Sequence, residues 1–247
     1  MPRLMEITII GLISGMVGTS VGGLMAFFIG GISNRIMSFI LEFSAGLMTS
    51  VVCFELIPEA FKIGGKFLTF IGVLCGIFMI ICIENFMMKM DLLRKNSGNV
   101  RLLRAGIMVA IGIALHNFPE GFAVGSGFEA SFSLGATLTA VIVIHDIPEG
   151  IAMAVPMRAG GFSGLKAFSF TVLSGVPMGL GAFAGALMGE ISQQLIGISL
   201  GFAGGAMLYI VYAELVPESK RLYLGRLSSL GNILGIICGI IVSTYGS

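Results

Sequence analysis

The chain predicts an all-α, polytopic membrane protein of eight transmembrane helices, built as an inverted 3+2+3 repeat with both termini extracytoplasmic. Three observations carry that prediction. Of 247 residues, 56% are hydrophobic and only 11% charged, where a soluble domain carries about 25% charged residues. Uncharged runs long enough to cross a bilayer recur from end to end. Two short motifs each occur twice, in helices that run in opposite directions. The charge shortage leaves no means of covering a water-facing surface, so a soluble enzyme, a disordered chain and a nucleic-acid binder are poor fits.

A bilayer-spanning helix needs about 20 mainly apolar residues. Ile7–Asn34 is 28 residues without a Lys, Arg, Asp or Glu; Phe67–Ile83 gives 17, Ala167–Gly189 gives 23, Ile191–Ala213 gives 23 and Leu227–Ser247 gives 21. Three more apolar stretches, about Ile36–Phe61, Ala105–Phe128 and Ala130–Met157, carry acids inside them. The reading is one transmembrane domain over 1–247, with helices at about 7–31, 36–61, 66–88, 105–128, 130–157, 166–189, 191–217 and 227–245. A signal peptide does not explain the N-terminus, since seven spans follow it. A transmembrane β-barrel would alternate apolar and polar residues over ~10-residue strands, and this sequence does not. The 37 glycines suit closely packed helices. Cys53, Cys75, Cys82 and Cys238 lie in apolar stretches without C-x-x-C spacing, which predicts buried free thiols.

Basic residues set the orientation. The loops after helices one, three, five and seven, with their helix ends, hold eleven Lys and Arg, among them Arg35, Arg101, Arg104, Lys220 and Arg221. The opposite side holds three: Arg3, Lys62 and Lys66. The richer side is the cytoplasmic one, and the longest loop, about Lys89 to Arg104, lies there.

The first repeated motif is His116-Asn117-Phe118-Pro119-Glu120-Gly121 in helix four and His145-Asp146-Ile147-Pro148-Glu149-Gly150 in helix five. The second is Glu55-Leu56-Ile57-Pro58-Glu59 in helix two and Glu214-Leu215-Val216-Pro217-Glu218 in helix seven. Repetition in antiparallel helices suggests a pseudo-two-fold axis in the membrane plane, an architecture that recurs among membrane transporters. It predicts helices one to three packing against six to eight, with four and five at the centre.

Carboxylates at mid-membrane cost roughly 2.5–3.5 kcal/mol each. Helical spacing points His116 with Glu120, and His145 with Glu149, with Asn117 and Asp146 one step round. Pro119 and Pro148 cannot donate to the carbonyls of Leu115 and Ile144, so each helix can bend there. Two imidazoles, three carboxylates and an amide form a mixed N/O donor set suited to Zn²⁺, Fe²⁺, Mn²⁺ or Cd²⁺ rather than Cu⁺. A divalent cation offsets the buried charge. The rival reading, an inert His–Glu network, does not explain why the set occurs twice.

HNFPEG followed by HDIPEG, in helices four and five of eight, resembles the ZIP (Zrt/Irt-like) metal transporters, and looks closest to their GufA-like branch. The resemblance covers essentially the whole chain. It implies inward transport of divalent metal, Zn²⁺ first, by alternating access through a multi-pass protein of the cell membrane, with the metal as substrate and no prosthetic group. It also implies a two-metal site, one position using His116, Glu120, His145 and Glu149 and the other Asn117, Asp146 and the same glutamates, and it implies a homodimer. Many members supply a further glutamate from helix six; here Met178, or Val176 in another alignment, stands at that place. A thioether ligand from Met178 is weighed against simple packing. A His that often precedes the helix-seven acid is replaced by Ala213. In the orientation given above, Glu55 reads as an outer and Glu214 as an inner way-station for the cation, against the reading that both are solvated acids at helix ends. Glu42 and Glu84, near cytoplasmic helix ends, read as snorkelling or surface-paired acids.

No G-x-x-x-x-G-K-[ST] run is present, so no nucleotide partner is expected, and no nucleic acid. The partners are the metal ions and the lipid bilayer. Two alternatives use the same groups. An intramembrane zinc hydrolase would need three ligands, an open water position and a general base, and the chain lacks an H-E-x-x-H run. A passive divalent-cation channel would use the acids as a ring.

Overall fold

The computed structural model describes residues 2–28, 33–89, 98–188 and 193–246. Arg94 and Lys95, in the long loop, lie outside the described residues. Every regular element among those described is helical. The first span is α1 (Pro2–Gly23) with a short α2 (Met25–Phe28). The second is α3 (Asn34–Val51) and α4 (Ile57–Gly64), joined without a break by a π-helical turn, Val52–Leu56. The third is α5 (Lys66–Met87). The fourth and fifth are single long helices, α6 (Gly98–Ala130) and α7 (Phe132–Ala159). The sixth is α8 (Gly164–Ser174) and α9 (Val176–Met188). The seventh is α10 (Gln193–Ile210), a second π turn at Val211–Leu215, and α11 (Val216–Leu222). The eighth is α12 (Arg226–Gly246). Seven of these rods are long and apolar enough to cross a membrane, and the described part of the eighth, Arg226–Ile241, is a shorter apolar helix.

Local chemistry places the joints. The Ser33 side chain accepts a hydrogen bond from the Ile36 N–H, and the Ser163 side chain one from Lys166, each supplying an acceptor to an orphan donor of a helix start. Gly65, at φ 76°, lets the chain reverse between the second and third spans within one residue. Pro58 and Pro217 each follow a π turn. Ile57 N–H reaches back to the Val52 carbonyl, and Val216 N–H to that of Val211, so the widened turn accommodates a proline ring that would otherwise press on the preceding turn.

The spans form two groups. First, fourth, fifth and sixth pack on one another; second pairs with eighth, third with seventh, and second with seventh. Fourth-to-seventh and second-to-fifth contacts join the groups. This arrangement obeys an internal symmetry. The shift along the chain that takes Glu55 to Glu214 also takes Phe43 to Phe202 and Gly76 to Gly235. Gly76 lies against the Phe202 carbonyl, and Gly235 against the Phe43 carbonyl. The same shift takes Thr19 to Met178, while the shift from His116 to His145 takes Gly121 to Gly150. Gly121 abuts the Met178 carbonyl, and Gly150 the Thr19 carbonyl. A Cβ at either motif glycine would overlap a backbone oxygen, so the motif helices reach their neighbours only because these residues lack one.

The larger apolar core joins the second, fourth, fifth and seventh spans around Leu41, Met48, Met108, Met153 and Met207. The cysteines correct the sequence reading: they are free, but Cys53, Cys75 and Cys82 are exposed on the outer face of the bundle. An apolar run does not distinguish the core side of a membrane helix from the lipid side.

Candidate metal centre

The site is built where the fourth and fifth spans touch. His116, Asn117, Asp146 and Glu149 are fully buried and Glu120 is 5% exposed. The His116 Nε2 lies 2.9 Å from Glu120 Oε1 on its own helix and 3.9 Å from Glu149 Oε1 on the facing one. One imidazole nitrogen therefore addresses a motif glutamate from each repeat. Two ligands ~2.0–2.1 Å from a zinc ion at a tetrahedral angle stand about 3.3 Å apart, and the two observed separations bracket that spacing. Among the described residues no three His, Cys, Asp or Glu side chains already converge at metal-binding spacing; here the imidazole is drawn to Glu120. His145 lies in α7, with its side chain outside the described residues.

The sixth and first spans shape the remaining walls. Pro177 has no N–H for the preceding turn, and the helix gives way: Gly175 N–H bonds Val172 and Met178 N–H bonds Gly175, both at 3.2 Å. The Ser174 carbonyl accepts instead from the Asn117 side-chain amide at 2.9 Å. That bond turns the Asn117 Oδ1 away from the Ser174 carbonyl; this oxygen is buried with no hydrogen-bond partner among the described residues. On the opposite side Asp146 sits against Gly18, where a Cβ would come within 3.0 Å of Asp146 Oδ2. Gly18 thus makes room for a carboxylate.

Met178 is fully buried with Ile7, Val124 and Ala182. Its Sδ lies 3.4 Å from the Ser14 hydroxyl. The sulfur is held in an apolar cluster at the contact of the first and sixth spans, and its backbone carbonyl, not its thioether, faces the motif glycine.

The way-station candidates occupy opposite ends. Glu55 and Glu214 each sit in a π turn. Glu55 is half-buried, and Glu59 is exposed and bonded to Lys62 at 3.0 Å. Glu214 and Glu218 are instead 5% and 2% exposed, so the solvated-acid reading does not describe that end. Glu218 meets Arg221 at 3.2 Å and Arg101 at 3.4 Å, while Arg104 approaches Glu214 at 3.9 Å. Tyr209 donates to Glu84 at 2.7 Å.

Sequence reasoning missed one cluster. Glu42 is 2% exposed, not surface-paired, and binds Lys220 at 3.0 Å, Asn232 at 2.9 Å and Ser219 at 3.2 Å. Ser38 bonds Ser228 at 2.6 Å alongside. The serine four residues before Glu42, on the same face, was the available signal; the partners come from the seventh and eighth spans.

Seven rods long and apolar enough to cross a membrane, with one buried imidazole set between carboxylates of two of them, define a multi-pass integral membrane protein. The comparisons with known proteins refine the class. The family described as ZIP Zinc transporter matches residues 91–244. Zinc transporter ZupT of Chlorobium chlorochromatii is 31% identical over 246 residues, 91% of this chain and 90% of that one. Zinc transporter GufA of Myxococcus xanthus is 37% identical over 139 residues, and human zinc transporter ZIP11 is 37% identical over 137. Those two matches span 55% and 40% of the relatives' lengths. The chain belongs to the ZIP family.

Proposed function

We propose that the protein carries divalent transition-metal ions, zinc foremost, into the cytoplasm through the centre formed by His116, Asn117, Glu120, His145, Asp146 and Glu149. The observation that carries this reading is the single His116 nitrogen shared between Glu120 and Glu149 at 2.9 and 3.9 Å inside the bundle. Burying carboxylates there is unfavourable unless a cation or hydrogen bonds compensate them. A dication bound by both repeats supplies that compensation and links the two helices that would move together. The zinc-transporter names of the relatives support the substrate. They also favour a carrier over a hydrolase, which would need an open water position and a general base beyond the ligands.

In this reading the basic end faces the cytoplasm, both termini lie outside, and Glu55 and Glu214 stand on the entry and exit sides. The two-group packing supports alternating access, one group shifting against the other around a fixed site. The test is Zn²⁺ uptake into proteoliposomes by wild type, Glu120→Ala and Glu149→Ala. Uptake should fall to the protein-free background in both variants; equal uptake in all three would overturn the central site.

A further inference from the structure

The inner end pairs its acids with arginines from two helices, whereas the outer end repeats only the local pair, Lys62 with Glu59 matching Arg221 with Glu218. Glu214 and Glu218 are buried in the seventh span. The Arg101 Nε lies 3.4 Å and the Arg221 Nη1 3.2 Å from the same Glu218 oxygen, and the Arg104 Nε lies 3.9 Å from Glu214. Arg101 and Arg104 belong to α6, the helix that also presents His116 and Glu120; Arg104 precedes His116 by about 18 Å of helix rise. The second Glu218 oxygen, Oε1, is buried with no hydrogen-bond partner among the described residues, so acceptor capacity is left over inside the cluster. The symmetry supplies the contrast. The shift that takes His116 to His145 takes Arg101 to Ala130 and Arg104 to Ser133, neither of them cationic.

We propose that Arg101 and Arg104 are built-in counter-ions of the exit carboxylates, holding Glu214 and Glu218 so that the transported dication passes the inner mouth without lodging there. The inference rests on the transport reading above. A metal ion arriving between two carboxylates in a poorly solvated site binds tightly. With the carboxylates already paired, the ion must displace guanidinium groups and meets their positive charge, so its gain is small. Gradient and cytoplasmic capture set the net direction; the arginines keep the last step from becoming a trap. At the outer mouth, where capture is needed, the fifth span offers no such cation.

The experiment counts Zn²⁺ bound per purified full-length chain by equilibrium dialysis, and measures initial uptake in proteoliposomes. Arg101→Gln with Arg104→Gln should bind one Zn²⁺ more than wild type, and adding Glu214→Gln should remove it; turnover of the arginine double variant should fall about tenfold, as for an exit barrier raised by ~1.4 kcal/mol. Unchanged stoichiometry in a monodisperse double variant would overturn the proposal. Because loss of both arginines leaves buried acids unpaired, a gentler mirror variant provides an independent reading. Ser133→Arg, at an exposed position, places a guanidinium at the outer equivalent and should raise the KM for Zn²⁺ several-fold with kcat kept; an unchanged KM counts against the proposal. Glu120→Ala tells the two readings apart: if it binds as much Zn²⁺ as wild type, the central site fails, whereas the arginine-dependent extra ion depends on Glu214 and Glu218 and not on Glu120.

Discussion

The segments Glu55–Glu59 and Glu214–Glu218 are the same device in different company. Each is a Glu-Leu-x-Pro-Glu run, each starts within a π turn, and each ends in a short helix headed by proline. Yet Glu59 is exposed beside Lys62, while Glu218 is buried under Arg101 and Arg221. The backbone and the local pair, Lys62 with Glu59 and Arg221 with Glu218, are repeated; the arginines that α6 adds, Arg101 and Arg104, are not. In the proposed carrier, direction can reside in which residues face a repeated element, with no change in the element itself.

The largest effect expected of any substitution tests what the two halves share. Glu149→Ala or Glu120→Ala removes an oxygen from the centre where the repeats meet, and zinc affinity should fall by about 100-fold or more, beyond the 10–100-fold typical of losing an outer-shell partner; isothermal titration of the purified protein checks this. Next come the motif glycines. Gly121→Val and Gly150→Val each drive a branched side chain into a backbone carbonyl of the facing helix, an overpacking cost of at least about 1–3 kcal/mol, read as a lower melting temperature in detergent. If the repeat is structural on both sides, the two losses should be similar; a harmless change at one of them would break the equivalence.

The comparison sharpens at the mouths. Glu55→Gln should raise the KM for uptake several-fold while leaving kcat nearly intact, and Glu214→Gln should act on kcat instead; the same kinetic change in both would remove the entry–exit distinction. The smallest effect concerns the Glu42 cluster. Lys220→Met removes a half-exposed ammonium from a buried carboxylate that keeps Asn232 and Ser219, so the expected cost is about 1–2 kcal/mol, below the range for breaking a fully buried pair, with zinc binding unchanged.

Much of this was legible in the sequence. The spans follow from uncharged runs, and the approach of His116 to Glu120 and Glu149 from the repeated x-Pro-Glu-Gly motif, because helical spacing and the cost of buried acids are local facts. The π turns at Glu55 and Glu214 were not legible: one residue of helical slack leaves the apolar pattern intact. The burial of Glu42 and Glu218 was equally hidden, since their partners lie far along the chain. Arg101 and Arg104 read only as orienting charge, because topology counts cations without asking what they touch. The cysteines failed for a related reason, since the lipid side and the core side of a membrane helix are alike in composition. At Met178 the pattern left a thioether ligand open beside simple packing; its sulfur sits beside Ser14 in an apolar cluster.

The central claim concerns the atoms around the ion, and X-ray absorption at the zinc edge of the loaded protein reads them directly. The account predicts a shell of nitrogen and oxygen alone at ~2.0–2.2 Å, with an imidazole signature that weakens in His116→Ala. A sulfur scatterer near 2.3 Å, or a spectrum that His116→Ala and Glu149→Ala leave unchanged, would place the metal elsewhere and contradict it.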